Sequence, residues 1–432
     1  MSKHHRSLFQ PSERRTRADL AVTAVIAIGA VGLGLATWWG SDARDADLQV
    51  YSPATQWPDS VSAGAQPVPT TVEQAWSAPT KTSGLLVDAR GGIGIEKADG
   101  TFEMLDADSG TPLWSYHRSE ALCAAAIVWD QANLVYEGPK GCGQAVSIKA
   151  ATGEYEATRD ALAPQSVDVF HSRDKLGLIS PKTVELWRSD LVRTVIVGNQ
   201  EAPAKPNLQE HPECTFTSAL TRTSLLATAQ TCPGQEKKLV RLLKTVPKES
   251  DQPEKIHEFT VPAGSELVAI GQQAAVIYIP GNGQPARDPA DNLGARFQVL
   301  NKDGTFQQYP AQVAPPLQPT PGGPEGIYEP QTADLAHNMT WFDGARLVAF
   351  KPGSMEPDYV VEGALGTGAS MGQRLLVPTA EGIAVVNWTT GKTERTIPVD
   401  RGGYAGPVTL RVAGKTIVEQ RGEQIVALRA IA

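Results

Sequence analysis

Cysteine is scarce in this 432-residue chain, and its spacing argues against a structural metal site. The four cysteines are Cys123, Cys142, Cys214 and Cys232, and none lies in a CxxC pair or beside another cysteine. Structural zinc sites use such closely spaced pairs, so zinc is the weaker alternative. Two disulfides, Cys123–Cys142 and Cys214–Cys232, are predicted for an exported chain. Each would close a loop of roughly 20 residues and contribute about 3 kcal/mol on a chain-entropy model.

Positive charge is also in short supply. The chain has 39 Lys and Arg against 47 Asp and Glu, which gives a formal net charge of −8. Five of the basic residues lie before residue 18, so the remainder is more acidic still. An acidic surface repels nucleic acid and anionic lipid. The sequence therefore predicts no nucleic-acid partner.

The chain has one long uncharged run, residues 20–40. As a helix it would be roughly 31 Å long, which matches the hydrocarbon thickness of a bilayer. Basic residues precede this run and aromatic residues end it, as expected at the two interfaces of a membrane. These predicted membrane-interface residues are Arg14, Arg15, Arg17, Trp38 and Trp39.

The asymmetry of charge predicts the topology. Residues 1–19 would form a cytoplasmic tail, residues 20–40 a single transmembrane helix, and the rest an extracytoplasmic portion attached to the plasma membrane. A cleavable signal peptide with a cleavage site at residues 34–36 is the alternative, although the run is longer than the usual apolar segment of about 7–15 residues. Because no cysteine lies directly after the run, as a lipobox requires, lipoprotein anchoring is excluded.

Glycine and proline are abundant, with 40 and 32 residues. Together they are too frequent for a mostly helical protein and are typical of many short strands joined by turns. The fold class predicted beyond the membrane segment is therefore all-β.

The stretch 105-LDADSGTPLWSY-116 has two competing interpretations. Asp106, Asp108 and Gly110 resemble the beginning of a calcium loop, but the twelfth position of such a loop would be His117, where a bidentate Glu is required. The alternative is a hairpin turn, for which only a residue that tolerates positive φ is needed. We favour the turn.

The same turn and strand recur elsewhere in the chain. Residues 143–158 and 380–399 keep the glycine of the turn but lose the acidic residues, and residues 301–310 form a weaker copy. Outermost strands are predicted near residues 75, 114, 156, 196, 258, 308, 360 and 397. Their spacing of about 40 residues is typical of four-stranded propeller blades.

The sequence thus predicts an eight-bladed β-propeller over residues 71–432. Seven blades remain the alternative, because residues 325–362 are difficult to divide into strands. Residues 71–79 are predicted to add an N-terminal strand to the last blade beside C-terminal strands, which would close the ring and remove an exposed edge. The disulfides would occupy comparable positions in two non-adjacent blades.

The repeated pattern of a glycine turn followed by a strand that carries Trp resembles the PQQ-like (quinoprotein alcohol dehydrogenase-like) β-propeller family. That resemblance implies the fold over roughly residues 71–431. Members of the family include quinone-dependent dehydrogenases and non-enzymatic scaffolds. The dehydrogenases have a disulfide between adjacent cysteines, which this chain lacks. The resemblance therefore implies no enzyme activity, and no catalytic, cofactor-binding or metal-binding residue is predicted.

Other motifs have structural explanations. Ser370 lies in a G-x-S-x-G pattern, but strands are predicted on both sides, where a nucleophile elbow requires a following helix. The glycines of residues 91–100 likewise precede no predicted helix that could bind phosphate. Four tryptophans are predicted to pack between blades: Trp76, Trp114, Trp187 and Trp388.

Irregular segments divide the chain further. Residues 41–70 are predicted to be a flexible linker between membrane and propeller. Three insertions, 245–255, 280–294 and 311–334, interrupt the repeat, and the last is rich in proline. Each could be a partner-binding loop or a solvated insertion.

These features together predict a membrane-anchored propeller that acts as a protein-binding scaffold in a bacterial cell envelope. The expected partners are the plasma membrane, through the single helix, and an envelope or membrane protein. One alternative is a sensor of small ligands or glycans, which would need an aromatic-lined pocket. A second alternative is a quinone-dependent dehydrogenase or other propeller enzyme, which would need carboxylates that converge at the central channel.

Overall fold

The structure of the protein is a computed structural model. It describes residues 16–40, 42–53, 57, 66–203, 205–316 and 324–431. The chain divides into two compact units, Met1–Ala46 and Asp47–Ala432. Of the predicted interface residues, Arg14 and Arg15 lie outside the described residues.

The first unit contains helix α1 (Arg17–Trp39) and a short 3-10 helix (Asp42–Asp45). The helix begins with a capping box, in which the Thr16 hydroxyl accepts from the Asp19 amide and the Asp19 carboxylate accepts from the Thr16 amide. By length and composition α1 is able to cross a membrane, with a mean hydropathy of 2.2. A signal sequence would have the same character.

The second unit is built from β-strands. The first strands are β1 (Asp47–Val50), β2 (Val72–Pro79), β3 (Leu86–Asp88), β4 (Gly92–Glu96), β5 (Phe102–Asp106), β6 (Pro112–His117), β7 (Leu122–Val128), β8 (Gln131–Gly138), β9 (Gly141–Lys149), β10 (Tyr155–Asp160), β11 (Asp168–His171), β12 (Leu176–Ile179), β13 (Thr183–Trp187), β14 (Arg193–Gly198), β15 (Thr215–Arg222), β16 (Leu225–Thr231), β17 (Lys237–Lys244) and β18 (Lys255–Pro262). The others are β19 (Glu266–Ile270), β20 (Ala274–Ile279), β21 (Arg296–Asn301), β22 (Phe306–Pro310), β23 (Thr332–Asp334), β24 (Met339–Phe342), β25 (Arg346–Phe350), β26 (Pro357–Glu362), β27 (Ala369–Met371), β28 (Arg374–Thr379), β29 (Gly382–Val386), β30 (Thr393–Pro398), β31 (Val408–Ala413), β32 (Thr416–Arg421) and β33 (Gln424–Ala430).

These strands form eight antiparallel sheets, the blades of an eight-bladed β-propeller. Blades 1 to 7 begin at β3, β7, β11, β15, β19, β23 and β27, and each contains four strands in chain order from the centre outwards. Blade 8 consists of β31, β32 and β33, with β2 as its outermost strand. The prediction of eight blades is confirmed, and each predicted outermost strand lies where it was expected.

Ring closure depends on the pairing of β2 with β33. The register runs from Val72 opposite Ala430 to Pro79 opposite Gln424, with one irregularity beside Trp76. The predicted closing strand of residues 71–79 is therefore confirmed. We call the propeller face at which the innermost strands begin the upper face, and the one at which they end the lower face.

Blade 1 has a fifth strand that the sequence did not predict. Strand β1 pairs antiparallel with the outer edge of β6, from Asp47 opposite His117 to Val50 opposite Trp114. These residues lie within the interval 41–70 that was predicted to be a flexible linker, so the structure differs there. Four residues are too few to show a period-two pattern, which explains why the strand escaped detection.

The turn between β5 and β6 answers the question raised by Asp106 and Asp108. The Gly110 amide donates to the Asp106 carbonyl at 2.8 Å, and the Asp106 carboxylate accepts from the Ser109 amide at 2.9 Å. The corresponding turns at Gly153 and Gly391 have the same backbone bond at 2.9 and 2.8 Å. The hairpin prediction is confirmed.

These turns also join neighbouring blades. The Trp114 indole donates to the Ala150 carbonyl at 2.8 Å and packs against Gly153, where a Cβ would lie 3.0 Å from the ring. Trp76 does the same from blade 8, donating to the Ala107 carbonyl at 2.9 Å beside Gly110. Glycine is therefore required both for its positive φ and for its lack of a side chain.

Trp187 and Trp388 also pack between blades, as predicted, but at other positions of the repeat. Trp187 lies in the third strand of blade 3 under the Arg159 guanidinium, and Trp388 lies in a turn of blade 7, stacked on His337. Ser370 lies in the innermost strand β27, which agrees with its structural interpretation.

Both predicted disulfides are present, Cys123–Cys142 in blade 2 and Cys214–Cys232 in blade 4. Both lie at the upper face, but their positions in the blades differ. The first joins strands β7 and β9 across β8, whereas the second joins the residues that flank the β15–β16 hairpin. The two disulfides therefore lie at the same face of the propeller, as predicted, but they connect different strands of their blades, which the prediction did not anticipate.

Candidate functional site

The central channel is a concave site lined by residues of several blades. Its walls include residues of the innermost strands β3, β7, β11, β15, β19, β23 and β31. The channel contains a chamber of about 620 Å³ towards the lower face. A smaller chamber of about 240 Å³ lies towards the upper face, and Glu329 lines both.

Glu329 reaches the channel because residues 324–331, between blades 5 and 6, fold inwards. The Ile327 side chain is buried in an apolar cluster of blades 3 and 4, and the Tyr328 amide donates to the Thr217 carbonyl at 2.7 Å. The Tyr328 hydroxyl accepts from the Trp341 indole at 3.2 Å. These contacts fix the backbone on both sides of the Glu329 side chain.

This arrangement differs from both interpretations of the insertion 311–334. Its last residues form the innermost strand β23, and residues 324–331 pack within the propeller. The segment therefore contributes to the fold and to the channel. Residues 317–323 of the insertion lie outside the described residues.

The channel gathers charged groups from blades 3 and 8 around Glu329. Burial and the Asp168 carboxylate raise the pKa of Glu329 to about 8, and the Arg411 guanidinium partly opposes this shift. Burial lowers the pKa of Arg411, which donates to the Thr367 hydroxyl at 3.1 Å. Although part of the His171 ring faces the chamber, enclosure by protein and the nearby Arg411 lower its pKa to about 4. Near neutral pH the imidazole is therefore neutral, and Glu329 is able to donate a proton.

Ion pairs line the rim of the larger chamber. Arg90 bonds the Asp88 carboxylate at 2.8 Å and lies 3.5 Å from that of Asp130, while Arg222 bonds Asp334 at 2.8 Å. Trp129 precedes Asp130 in a turn where both residues have positive φ, 60° and 61°. The Trp129 side chain is half-buried and packs against the apolar cluster of blades 2 and 3 beside the chamber.

The sequence did not single out Glu329, Asp168 or Arg411. The signal available was the acidic residue within the apolar stretch Ile327–Pro330, where a carboxylate would be buried. The carboxylates of this channel are the feature that the propeller-enzyme alternative required.

Two groups of possible metal ligands occur in the described residues, and both lie at blade 4. One contains Cys214, whose sulfur belongs to a disulfide. The other is Glu210, His211 and Glu258, whose carboxylates also pair with Arg241 and Lys255. Two cations at the same carboxylates oppose a bound metal ion, so this group is an ion-pair network.

The predicted interface residues that the structure describes belong to α1. Arg17 is its first residue, and Trp38 and Trp39 are its last two. The Arg44 guanidinium lies 4.6 Å from the centre of the Trp39 ring, a cation–π contact suited to an interfacial position.

Comparison with known proteins adds little beyond the fold. No family model and no curated protein matches the chain. Solved structures that match include BamB from Moraxella catarrhalis, with 12% identity over 83% of this chain and 100% of that chain and a TM-score of 0.44. Another is the computationally designed Ika8 protein, with 12% identity over 89% of this chain and 100% of that chain and a TM-score of 0.48. These likenesses carry no argument about function.

Proposed function

We propose that the chain is a membrane-anchored, extracytoplasmic member of the PQQ-like propellers that binds a protein partner in a bacterial cell envelope, without catalysis. Helix α1 supports the anchor, since its length and composition suit a bilayer. The two disulfides support an oxidising compartment. The glycine turns with docked tryptophans at blades 1 and 2 support the PQQ-like assignment.

The observation that carries the binding function is the pairing of β1 with blade 1. It shows that an outermost strand of this propeller accepts a further antiparallel strand. Addition of a strand to an exposed sheet edge is a common mode of peptide recognition. A partner that presents an extended segment would pair with another blade in the same way.

The edges of blades 5 and 6 are the best candidates for this contact. Their outermost strands, β22 and β26, carry the exposed apolar side chains Phe306 and Val360, which are 54% and 40% exposed. Exposed apolar edge strands promote association with other chains. The partner proposed is therefore a protein segment of β-strand character with apolar side chains.

The test compares co-purification from native membranes in mild detergent. Full-length protein should retain an envelope protein that Phe306→Asp and Val360→Asp lose at least about tenfold, as expected when an interface hot spot is disrupted. Val246→Asp is the matched control, because Val246 is exposed on a loop of blade 4. Equal recovery with all three variants, or no partner for the unaltered chain, would contradict the proposal.

A small ligand bound in the channel is the second candidate, favoured by the chamber of about 620 Å³ and the polar groups at Glu329. Its volume lies within the usual range for small-molecule sites, about 300–1,000 Å³. Loss of ligand binding in Glu329→Gln, with partner recovery unchanged, would favour this candidate over the edge contact.

A further inference from the structure

A second concave site lies between blades 2 and 3 and opens on the upper face. This cleft has a volume of about 160 Å³. Apolar side chains form its walls: Leu162, Val167, Leu178, Ile179 and Ile196. The mouth carries Lys182 and Glu201, which are exposed.

Both walls of the cleft are fixed before any ligand arrives. On the blade 2 side, the Cys142 amide donates to the Pro164 carbonyl at 2.9 Å and the Ala161 amide to the Gly143 carbonyl at 3.0 Å. The Cys123–Cys142 disulfide anchors this region further. On the blade 3 side, the Asn199 amide donates to the Lys182 carbonyl at 2.9 Å. A preformed site avoids the entropy cost of ordering its walls.

The floor of the cleft is polar. The Glu185 carboxylate lies 3.6 Å from the Arg159 guanidinium, whose plane covers the Trp187 ring at 5.1 Å. Burial raises the pKa of Glu185, while Arg159 and Arg193 partly oppose this shift. The Trp187 indole also favours the ionised form of the Glu185 carboxylate and so lowers its pKa.

One cation of the cleft has no counter-ion. The charged side chains that line the cleft are Lys182 and Glu201 at the mouth and Glu185 and Arg193 at the floor. The Glu185 carboxylate pairs with Arg159, which is not itself a lining residue. Arg193 forms no ion pair with another described residue. A partly buried, uncompensated positive charge favours an anion.

We propose that this cleft binds a small carboxylate with a compact aromatic or branched apolar body. The carboxylate would pair with Arg193, and the apolar body would contact Leu178 and Ile196. A protein cavity of about 150 Å³ accommodates benzene, so one six-membered ring fits this volume. The cleft is distinct from the edges of blades 5 and 6, and it shares only Val167 with the smaller channel chamber.

The test uses phenylacetate as the probe and isothermal titration calorimetry of the full-length chain in lipid nanodiscs. Phenylacetate should bind saturably, and the neutral phenylacetamide should bind at least about tenfold more weakly, because a charge-assisted hydrogen bond is lost. Arg193→Gln should weaken phenylacetate binding to a similar extent. Arg188→Gln is the matched control, since Arg188 is exposed in the next turn and pairs with Asp190 instead.

Ile196→Trp provides a separate check, because the larger side chain would fill the cleft while the charges remain. It should abolish binding, and circular dichroism would verify that each variant is folded. Three results would overturn the proposal: no saturable binding at millimolar phenylacetate, equal affinity for phenylacetamide, or binding that survives both Arg193→Gln and Ile196→Trp.

Discussion

At the scale of single residues, Glu329 combines burial with a like-charged neighbour. Its carboxyl faces Asp168 within the channel, and Arg411 compensates only part of the cost of ionisation. The folded protein therefore holds a proton at Glu329 at pH values where the unfolded chain has released it. Such a difference in proton affinity makes stability depend on pH.

The first prediction concerns this dependence. The pKa of Glu329 rises from 4.5 to about 8 on folding, so its contribution to stability is present below about 4.5 and is lost as pH rises through about 8. Thermal midpoints measured across that range should fall with pH more steeply for the natural chain than for Glu329→Gln, which is neutral throughout. Glu154→Gln is the control, since the pKa of the exposed Glu154 is lowered by Lys149. Parallel profiles for the natural chain and Glu329→Gln would contradict the prediction.

At the scale of elements, the turn that ends with Gly153 links two blades. Its backbone has a positive φ of 74°, and the space where a side chain would lie is filled by Trp114 and Val50. Gly100 has a similar φ of 83°, but no atom lies within 4 Å of the position of its absent Cβ. A side chain at Gly100 would therefore cause backbone strain only, whereas a side chain at Gly153 would also disturb the packing between blades.

The second prediction uses this pair. Gly100→Ala should cost about 1 kcal/mol through backbone strain alone. Gly153→Ala should cost a further 1–3 kcal/mol or so, because the Trp114 ring and its bond to Ala150 must shift. Chemical unfolding of the two variants measures the difference. Equal losses of stability would show that the contact between Gly153 and Trp114 is not tightly packed.

The elements that the sequence predicts well are those with a repeated turn. The glycines at 110, 153 and 391 identify hairpin turns, because their positive φ restricts the residue type. The strands on either side of each turn could therefore be located from the sequence. Strand β1 and residues 324–331 have no such local sequence signal. Their positions depend on contacts with distant residues, such as His117 for β1 and Thr217 for Tyr328, which periodicity within a short segment cannot reveal. Glu329 escaped detection for the same reason.

At the scale of the whole molecule, the disulfides strengthen one side of the ring. They lie at the upper face in blades 2 and 4, and the first of them is in a blade that also lines the cleft. Because each closes a loop of similar length, each restricts the unfolded chain to a similar degree.

The third prediction follows from this restriction. Replacement of Cys214 and Cys232 by Ala, or of Cys123 and Cys142 by Ala, should cost about 3 kcal/mol in each case. Thermal unfolding under oxidising conditions measures both losses, and reducing agent should lower the midpoint of the natural chain but not that of the variant lacking all four. An unchanged midpoint in both double variants would show that the bridges add no stability.

The pairing of β2 with β33 also determines when the ring is able to close during synthesis. Strand β2 leaves the ribosome long before β33, which begins at Gln424, and blade 8 cannot form until both are present. The edge of β2 must therefore wait without its partner until almost all of the chain has been synthesised. Loss of the last residues at a premature stop codon would leave the ring open, however complete the first seven blades might be.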